Sequence, residues 1–186
     1  MRTFVLWALA GAAIPAVFTL VYWLAGRLRF QQGRPTERTG TYWVADPLIM
    51  LPVVLAEEWV FRRWLIGATV PHIGVWWAIA LSAVAFALVH VPNGVPTVWT
   101  PVNLALFSVV TGRIYLQAGL LAAFAFHWGC NVMQFPVLGY TAYGGKPVGR
   151  FMQTSIEGPL WLTGGPGGPE SSIAETTLLV VAILLV

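Results

Sequence analysis

Charged residues are scarce in this 186-residue chain: Asp, Glu, Lys and Arg make up 9% of it, whereas soluble domains carry about 25%. This shortage, together with a hydrophobic content of 58%, excludes an ordinary water-soluble globular domain. Cysteine is nearly absent too, and a single Cys130 excludes an intramolecular disulfide. The few charges are clumped between long uncharged runs, which is typical of helices that cross a bilayer. The sequence therefore predicts an integral membrane protein.

Basic residues slightly outnumber acidic ones, ten against seven, and four arginines lie in the polar stretch of residues 27–40. In a membrane protein such an excess orients loops, so we expect no nucleic-acid partner. We predict that this first loop is cytoplasmic and that the N-terminus is outside. The second helix would then run outward, with the acidic residues of its second half nearer the outer face.

Six apolar segments predict the helices of the fold: residues 3–26, 42–66, 73–91, 95–112, 115–138 and 173–186. The first is longer than the apolar core of a secretory signal, so we expect a helix that is kept in the mature protein and not cleaved off. The last reaches only about 21 Å, which predicts a half-inserted helix or a native chain that continues beyond Val186. Residues 139–172 are rich in Gly and Pro and predict an extramembrane loop. We therefore predict one all-α domain over residues 1–186, a polytopic bundle of five to six transmembrane helices around a polar intramembrane cavity.

Ionisable side chains inside a spanning segment are costly and are therefore functional candidates. Four such residues interrupt the apolar segments, and alternating helix directions would bring them to a similar depth: Glu57, Glu58, His90 and His127. Their shared depth predicts a common polar chamber.

The second segment contains the run Glu-Glu-Trp-Val-Phe-Arg-Arg, in which Glu58 and Arg62 are four residues apart. On a helix this spacing lets them pair on one face, whereas Glu57 is turned about 100° away. The arginine would keep Glu58 ionised and leave Glu57 free to act as a general base or acid.

Two further runs carry imidazoles with a partner one helical turn away. Phe86 precedes His90 by four residues, and His127 precedes Asn131 by the same distance. Taken singly, His90 is better explained by a satisfied core histidine, and the His127–Asn131 pair is equally well explained by hydrogen bonding between helices. Gly129, which lies between His127 and Asn131, would permit close approach of a neighbouring helix.

Together, these three runs, in this order and each on its own apolar segment, resemble the CPBP family (Abi, CAAX-protease-like) of intramembrane endopeptidases. The family includes the CAAX prenyl endopeptidase. The resemblance covers residues 46–132, and the Gly- and Pro-rich loop is similar to that of bacterial members. It implies a multi-pass protein of the bacterial inner membrane that cleaves a membrane-associated protein or peptide near a terminus or in a sorting or leader segment.

The resemblance also implies six catalytic residues: Glu57, Glu58, Arg62, His90, His127 and Asn131. Glu57 and His90 would activate a water molecule, with the Glu58–Arg62 pair in support. His127 and Asn131 would stabilise the tetrahedral oxyanion, because donors aimed at developing charge lower the barrier.

Three alternatives stay open at this point. Two Glu and two His could instead ligate a catalytic zinc, although we expect no cofactor because Arg62 beside the carboxylates opposes a cation. The chain could be a non-catalytic binding or immunity protein of the same fold. It could also be a proton-coupled transporter, since buried Glu and His form proton relays, but the two related halves expected of a transporter are not found.

Overall fold

The structure, a computed structural model, describes residues 1–32, 42–141 and 152–186. The predicted first loop is therefore covered only as far as residue 32, and its Arg34 and Arg38 lie outside the described residues. The same holds for residues 142–151 of the predicted Gly- and Pro-rich loop.

The described part of the chain is mostly helical, which confirms the predicted helical class. Its α-helices are α1 (Arg2–Leu24), α2 (Tyr42–Glu58), α3 (Gly67–Ile73), α4 (Val75–His90), α5 (Trp99–Ala118), α6 (Leu120–Val132), α7 (Leu160–Thr163) and α8 (Ile173–Leu185). A π-helical stretch, Trp59–Ile66, joins α2 to α3, and a second one, Met133–Val137, follows α6 directly. Helix α5 packs against α4, α6 and α8.

The prediction of an all-α fold needs one correction, since two short strands pair in antiparallel fashion. Strand β1 (Leu28–Gln32) and strand β2 (Met152–Ile156) place Leu28 opposite Ile156. Both strands lie in stretches that the sequence analysis assigned to loops. Five residues are too few to set a strand pattern apart from a polar loop, and this pairing joins positions more than a hundred residues apart.

Two glycines set helix ends that the apolar pattern did not locate. Gly74 and Gly119 have φ angles of 79° and 84°, a left-handed conformation that glycine adopts without a Cβ penalty. The second helical stretch thus runs to Ile73 rather than to residue 66. The predicted fifth segment, 115–138, is likewise divided at Gly119 between α5 and α6.

Two helical stretches in the described residues are long and apolar enough to cross a bilayer: Arg2–Leu24 and Val75–Asn93. The helices also carry large hydrophobic side chains on the outside, such as Leu6 on α1, Leu88 on α4 and Leu184 on α8. Soluble monomers rarely expose continuous apolar surface of this kind. The count of five to six spanning helices remains a prediction.

Helices α1 and α6 approach each other closely through two glycines. A Cβ atom on Gly129 would lie 2.0 Å from the carbonyl oxygen of Ala8, and one on Gly11 would lie 1.9 Å from that of Phe126. Only hydrogen fits at both positions, which confirms the expectation that Gly129 permits close packing.

Candidate active site

Glu58 is a fully buried carboxylate that joins two of the other predicted site residues. Its Oε2 lies 3.1 Å from the Nε of Arg62, and both side chains have no exposed surface. Its Oε1 lies 2.8 Å from the Nδ1 of His127. The predicted pairing with Arg62 is therefore present, and Glu58 also fixes the orientation of an imidazole on α6.

The guanidinium of Arg62 is held from several sides within the bundle. Its Nε donates to the hydroxyl oxygen of Thr111 on α5 at 3.1 Å, and its Nη2 contacts the same oxygen. The ring of Phe86 lies beneath it, with the ring centroid 4.9 Å from Cζ. Such a buried cation, partnered by a carboxylate and an aromatic face, is held in a fixed position behind the cavity.

Glu57, the neighbour of Glu58, is the accessible carboxylate of the pair. Its side chain is 27% exposed, and its two oxygens lie 3.8 Å from the Nε2 of His90 and 3.7 Å from the Nε2 of His127. These separations are too long for direct hydrogen bonds. A small molecule bound to this carboxylate would lie within reach of both rings.

Hydrogen bonding fixes which nitrogen of each imidazole carries a proton. The Nδ1 of His90 lies 2.7 Å from the carbonyl oxygen of Phe86, and that of His127 faces the Glu58 carboxylate. Because both partners only accept, both Nδ1 atoms must donate. In the neutral form of each ring, Nε2 is then a lone-pair acceptor directed at the side of Glu57.

These groups lie at a cavity of about 170 Å³, which is smaller than the range of about 300 to 1,000 Å³ common for ligand pockets. Glu57, His90, His127 and Asn131 all line it. All six predicted site residues are therefore brought together, four at the cavity wall and Glu58 with Arg62 behind it. Their catalytic roles stay predictions.

The cavity also contains acidic residues that the sequence analysis missed. Glu170 and Glu175 line it together with Gln134, whose Nε2 donates to the Oε1 of Glu170 at 3.1 Å. Burial raises the pKa of Glu170 to about 7, and the hydrogen bond from Gln134 partly offsets the rise. The wall of the cavity is thus more acidic than predicted.

The segment that carries Glu170 is fastened to the bundle by Asn103 on α5. The Asn103 amide donates to the carbonyl oxygens of Glu170 at 2.9 Å and Ser172 at 2.8 Å, and its Oδ1 accepts from Thr176 at 2.6 Å. The end of the predicted extramembrane loop therefore folds over the bundle and forms part of the cavity wall. Its Gly and Pro content indicates turns, which is why the sequence pattern predicts only a connection here.

Only one of the missed acidic residues carried a usable signal in the sequence. Glu175 stands within the predicted apolar segment 173–186, so the statement that four ionisable residues interrupt the apolar segments was wrong. Glu170 follows GGPGGP in a polar stretch, and nothing there separates it from a solvated loop residue.

Among the described residues, no group of three or more His, Cys, Asp or Glu side chains that could hold a metal ion is found. The nearest approach to such a group is Glu57 with the two Nε2 atoms. The cationic Arg62, fixed behind Glu58, opposes a further positive charge at this point.

Comparison with known proteins gives one match. Residues 39–133, just over half of the chain, match the model of the family described as "Type II CAAX prenyl endopeptidase Rce1-like". No curated protein and no solved structure matches the chain.

Proposed function

The chain belongs to the Rce1-like family of type II CAAX prenyl endopeptidases, and from this premise we propose that it is a glutamate-type intramembrane endopeptidase. The family is one of membrane-integral proteases, so the chain is an integral membrane protein whose substrates are peptides. Our finer proposal is a bundle of five to six spanning helices in a bacterial inner membrane. The substrate would be a membrane-associated protein cut near a terminus or in a sorting or leader segment.

The position of Glu57 is the observation that supports this chemistry. It is the accessible carboxylate of the pair, it lines the cavity, and two imidazole Nε2 atoms lie within 3.8 Å of its oxygens. In the proposed reaction, Glu57 takes a proton from a bound water while the water oxygen forms a bond to the carbonyl carbon of the peptide. The same proton then passes to the leaving amine as the C–N bond breaks, which restores the Glu57 carboxylate. His90 orients the water through its Nε2.

The oxyanion of the tetrahedral intermediate would be stabilised by His127 and Asn131. Because the Nδ1–H of His127 is engaged by Glu58, its Nε2 can donate to an oxyanion only when the ring is protonated. The Glu58 carboxylate holds that ring in place through its Nδ1–H, at 2.8 Å. The Asn131 side chain, which lines the same cavity, would supply a neutral donor.

The proposal is tested by replacing Glu57 with the isosteric amide. Purified protein in nanodiscs would be incubated with a peptide library, and new termini would be identified by mass spectrometry. We expect Glu57→Gln to reduce cleavage by about 100-fold or more, because a general base contributes roughly that factor. Glu157→Gln is the matched control, since Glu157 pairs with Arg29 at the surface outside the cavity and its loss should leave cleavage unchanged. Equal cleavage by Glu57→Gln and unsubstituted protein would overturn the assignment and favour a non-catalytic binding or immunity protein.

The same assay separates the glutamate mechanism from zinc catalysis. We propose that no metal takes part, since the described side chains form no group of three potential ligands. Cleavage should therefore survive prolonged treatment with a strong chelator and gain nothing from added Zn²⁺. Loss of cleavage on chelation, with recovery on adding Zn²⁺ back, would replace the glutamate mechanism by a zinc one.

A further inference from the structure

Two carboxylates away from the catalytic glutamate form a second polar region of the cavity. Glu170 comes from the turn Pro169–Ser171, Glu175 from the first turn of α8, and their neighbour Gln134 from the π-helical stretch after α6. All three line the same cavity as Glu57. Three separate elements thus direct polar side chains into the space that a substrate would occupy.

Each of these carboxylates has one oxygen without a hydrogen-bond donor. Within the described parts of the chain, the Oε2 atoms of both Glu170 and Glu175 are buried and have no partner. Glu175 is only 3% exposed. Leaving a buried acceptor unpaired costs about 1–3 kcal/mol, and more when the group is charged. The missing donors are therefore expected from a ligand that enters the cavity.

The charge of the cavity wall indicates what kind of donor would be bound. Three carboxylates line it, whereas its lining includes no Lys or Arg among the residues that the structure describes. The nearby Arg62 is engaged by Glu58 and Thr111. A cationic donor forms stronger hydrogen bonds to carboxylates than a neutral one, and it favours the ionised form of the buried Glu170 carboxyl, whose pKa burial raises.

We propose that Glu170 and Glu175 bind the ammonium or guanidinium group of a lysine or arginine side chain in the substrate. The peptide would thus be selected by a basic residue beside the scissile bond. This inference rests on the proposed peptidase function, and it names the substrate class for that same cavity. Gln134 holds one oxygen of Glu170, which leaves the other free for the substrate.

Binding to the hydrolysis-deficient Glu57→Gln protein tests the proposal without requiring cleavage. The probes are Leu- and Ala-rich peptides blocked at both ends and identical except for one central residue: lysine, norleucine or glutamate. Titration into zwitterionic phosphatidylcholine nanodiscs avoids attraction to anionic lipid. We expect the lysine peptide to bind about tenfold more tightly than the norleucine peptide, since a hydrogen bond to a charged group contributes a factor of that order. The glutamate peptide should bind most weakly.

Variants then assign the preference to the two carboxylates. Glu170→Gln and Glu175→Gln, each in the Glu57→Gln background, should reduce the lysine preference to about twofold or less. Glu157→Gln, which removes an exposed carboxylate outside the cavity, should leave it unchanged. If one of these variants does not fold, the peptide series measured on the Glu57→Gln protein alone still tests the proposal. The proposal is overturned if the lysine peptide has no advantage there, or if its advantage survives in folded Glu170→Gln and Glu175→Gln proteins.

The two proposals fail in different ways. A lysine preference that depends on Glu170 and Glu175, without any Glu57-dependent cleavage of the library, would retain the cation site and remove the peptidase function. Glu57-dependent cleavage with no enrichment of Lys or Arg near the cut would retain the peptidase and overturn the cation site.

Discussion

At the scale of single residues, two adjacent glutamates have different environments. Both oxygens of Glu58 are engaged, one by Arg62 and one by His127. Glu57 makes longer contacts and is partly open to the cavity. The helix separates their side chains by about 100°, which directs one into the core and the other into the cavity. Glu58 therefore positions the site, and Glu57 is the group that can contact substrate.

Replacing Glu58 should lower stability as well as activity. We expect Glu58→Gln to reduce the free energy of unfolding by about 3 kcal/mol or more, because removing one partner of a buried ion pair leaves an uncompensated charge, here on Arg62. Thermal unfolding in detergent, followed by circular dichroism, measures the loss. The matched replacement Glu157→Gln breaks an ion pair whose side chains are 63% and 61% exposed, and its melting temperature should stay at that of the parent protein. A Glu58→Gln protein with the same melting temperature as the parent protein would contradict this prediction.

The sequence identified those site residues whose charge conflicts with their surroundings. Glu57, Glu58, His90 and His127 interrupt apolar helices, so the cost of burial made them visible. Thr111, Gln134 and Glu170 were not predicted, because a threonine or glutamine in a helix and a glutamate in a polar loop are ordinary. Their roles depend on contacts between elements far apart in the chain, and no local pattern records such contacts.

At the scale of elements, the π-helical stretch Trp59–Ile66 follows directly after the glutamate pair. A π-helix leaves its carbonyls in altered positions, and such stretches are frequent at functional sites. Ser82 on α4 donates to the carbonyl oxygen of Phe61 at 2.9 Å, which satisfies one of these groups. The predicted pairing of Glu58 with Arg62 is still formed across the junction. The sequence carried no signal for the π geometry, because the apolar pattern only shows that a helix is present.

The close contact of α1 with α6 should be sensitive to a single methyl group. We expect Gly129→Ala to destabilise the protein, because its Cβ would lie 2.0 Å from the Ala8 carbonyl oxygen and backbone must move to relieve the overlap. Since α6 also carries His127 and Asn131, peptide cleavage should fall with stability. Unfolding temperature and cleavage rate measure the two effects.

Gly67 provides the matched control for this prediction. A Cβ at Gly67 would meet only the side-chain atoms of Arg63 and Tyr115, both at 3.7 Å, an ordinary contact distance. Gly67→Ala should therefore preserve or slightly raise stability, as alanine does at an unstrained helical position. A Gly129→Ala protein as stable as Gly67→Ala would show that α1 and α6 are not held at the distance described.

At the scale of the whole molecule, the cavity and strand β1 lie at the same end of the bundle. His90 ends α4, Asn103 is in the first turns of α5, and Glu170 precedes α8. Strand β1, which follows α1, pairs with β2 in the segment that leads to Glu170. The expectation that the glutamates lie nearer the outer face assumed a helix ending at residue 66, whereas the second helical stretch continues to Ile73 and places Glu57 near its middle.

The orientation of the cavity then follows from the basic residues at its end of the bundle. Arg27 precedes β1 and Arg29 lies within it. An excess of basic residues marks the cytoplasmic side, so we predict that the cavity faces the cytoplasm. In a Cys130→Ala background, Glu157→Cys beside β2 should be protected from a membrane-impermeant maleimide in intact cells and should react after permeabilisation. His72→Cys, in an exposed position at the opposite end of the bundle, should react in intact cells and provides the matched control. Labelling of Glu157→Cys from outside, with protection of His72→Cys, would place the cavity on the outer side and make exported proteins the substrates.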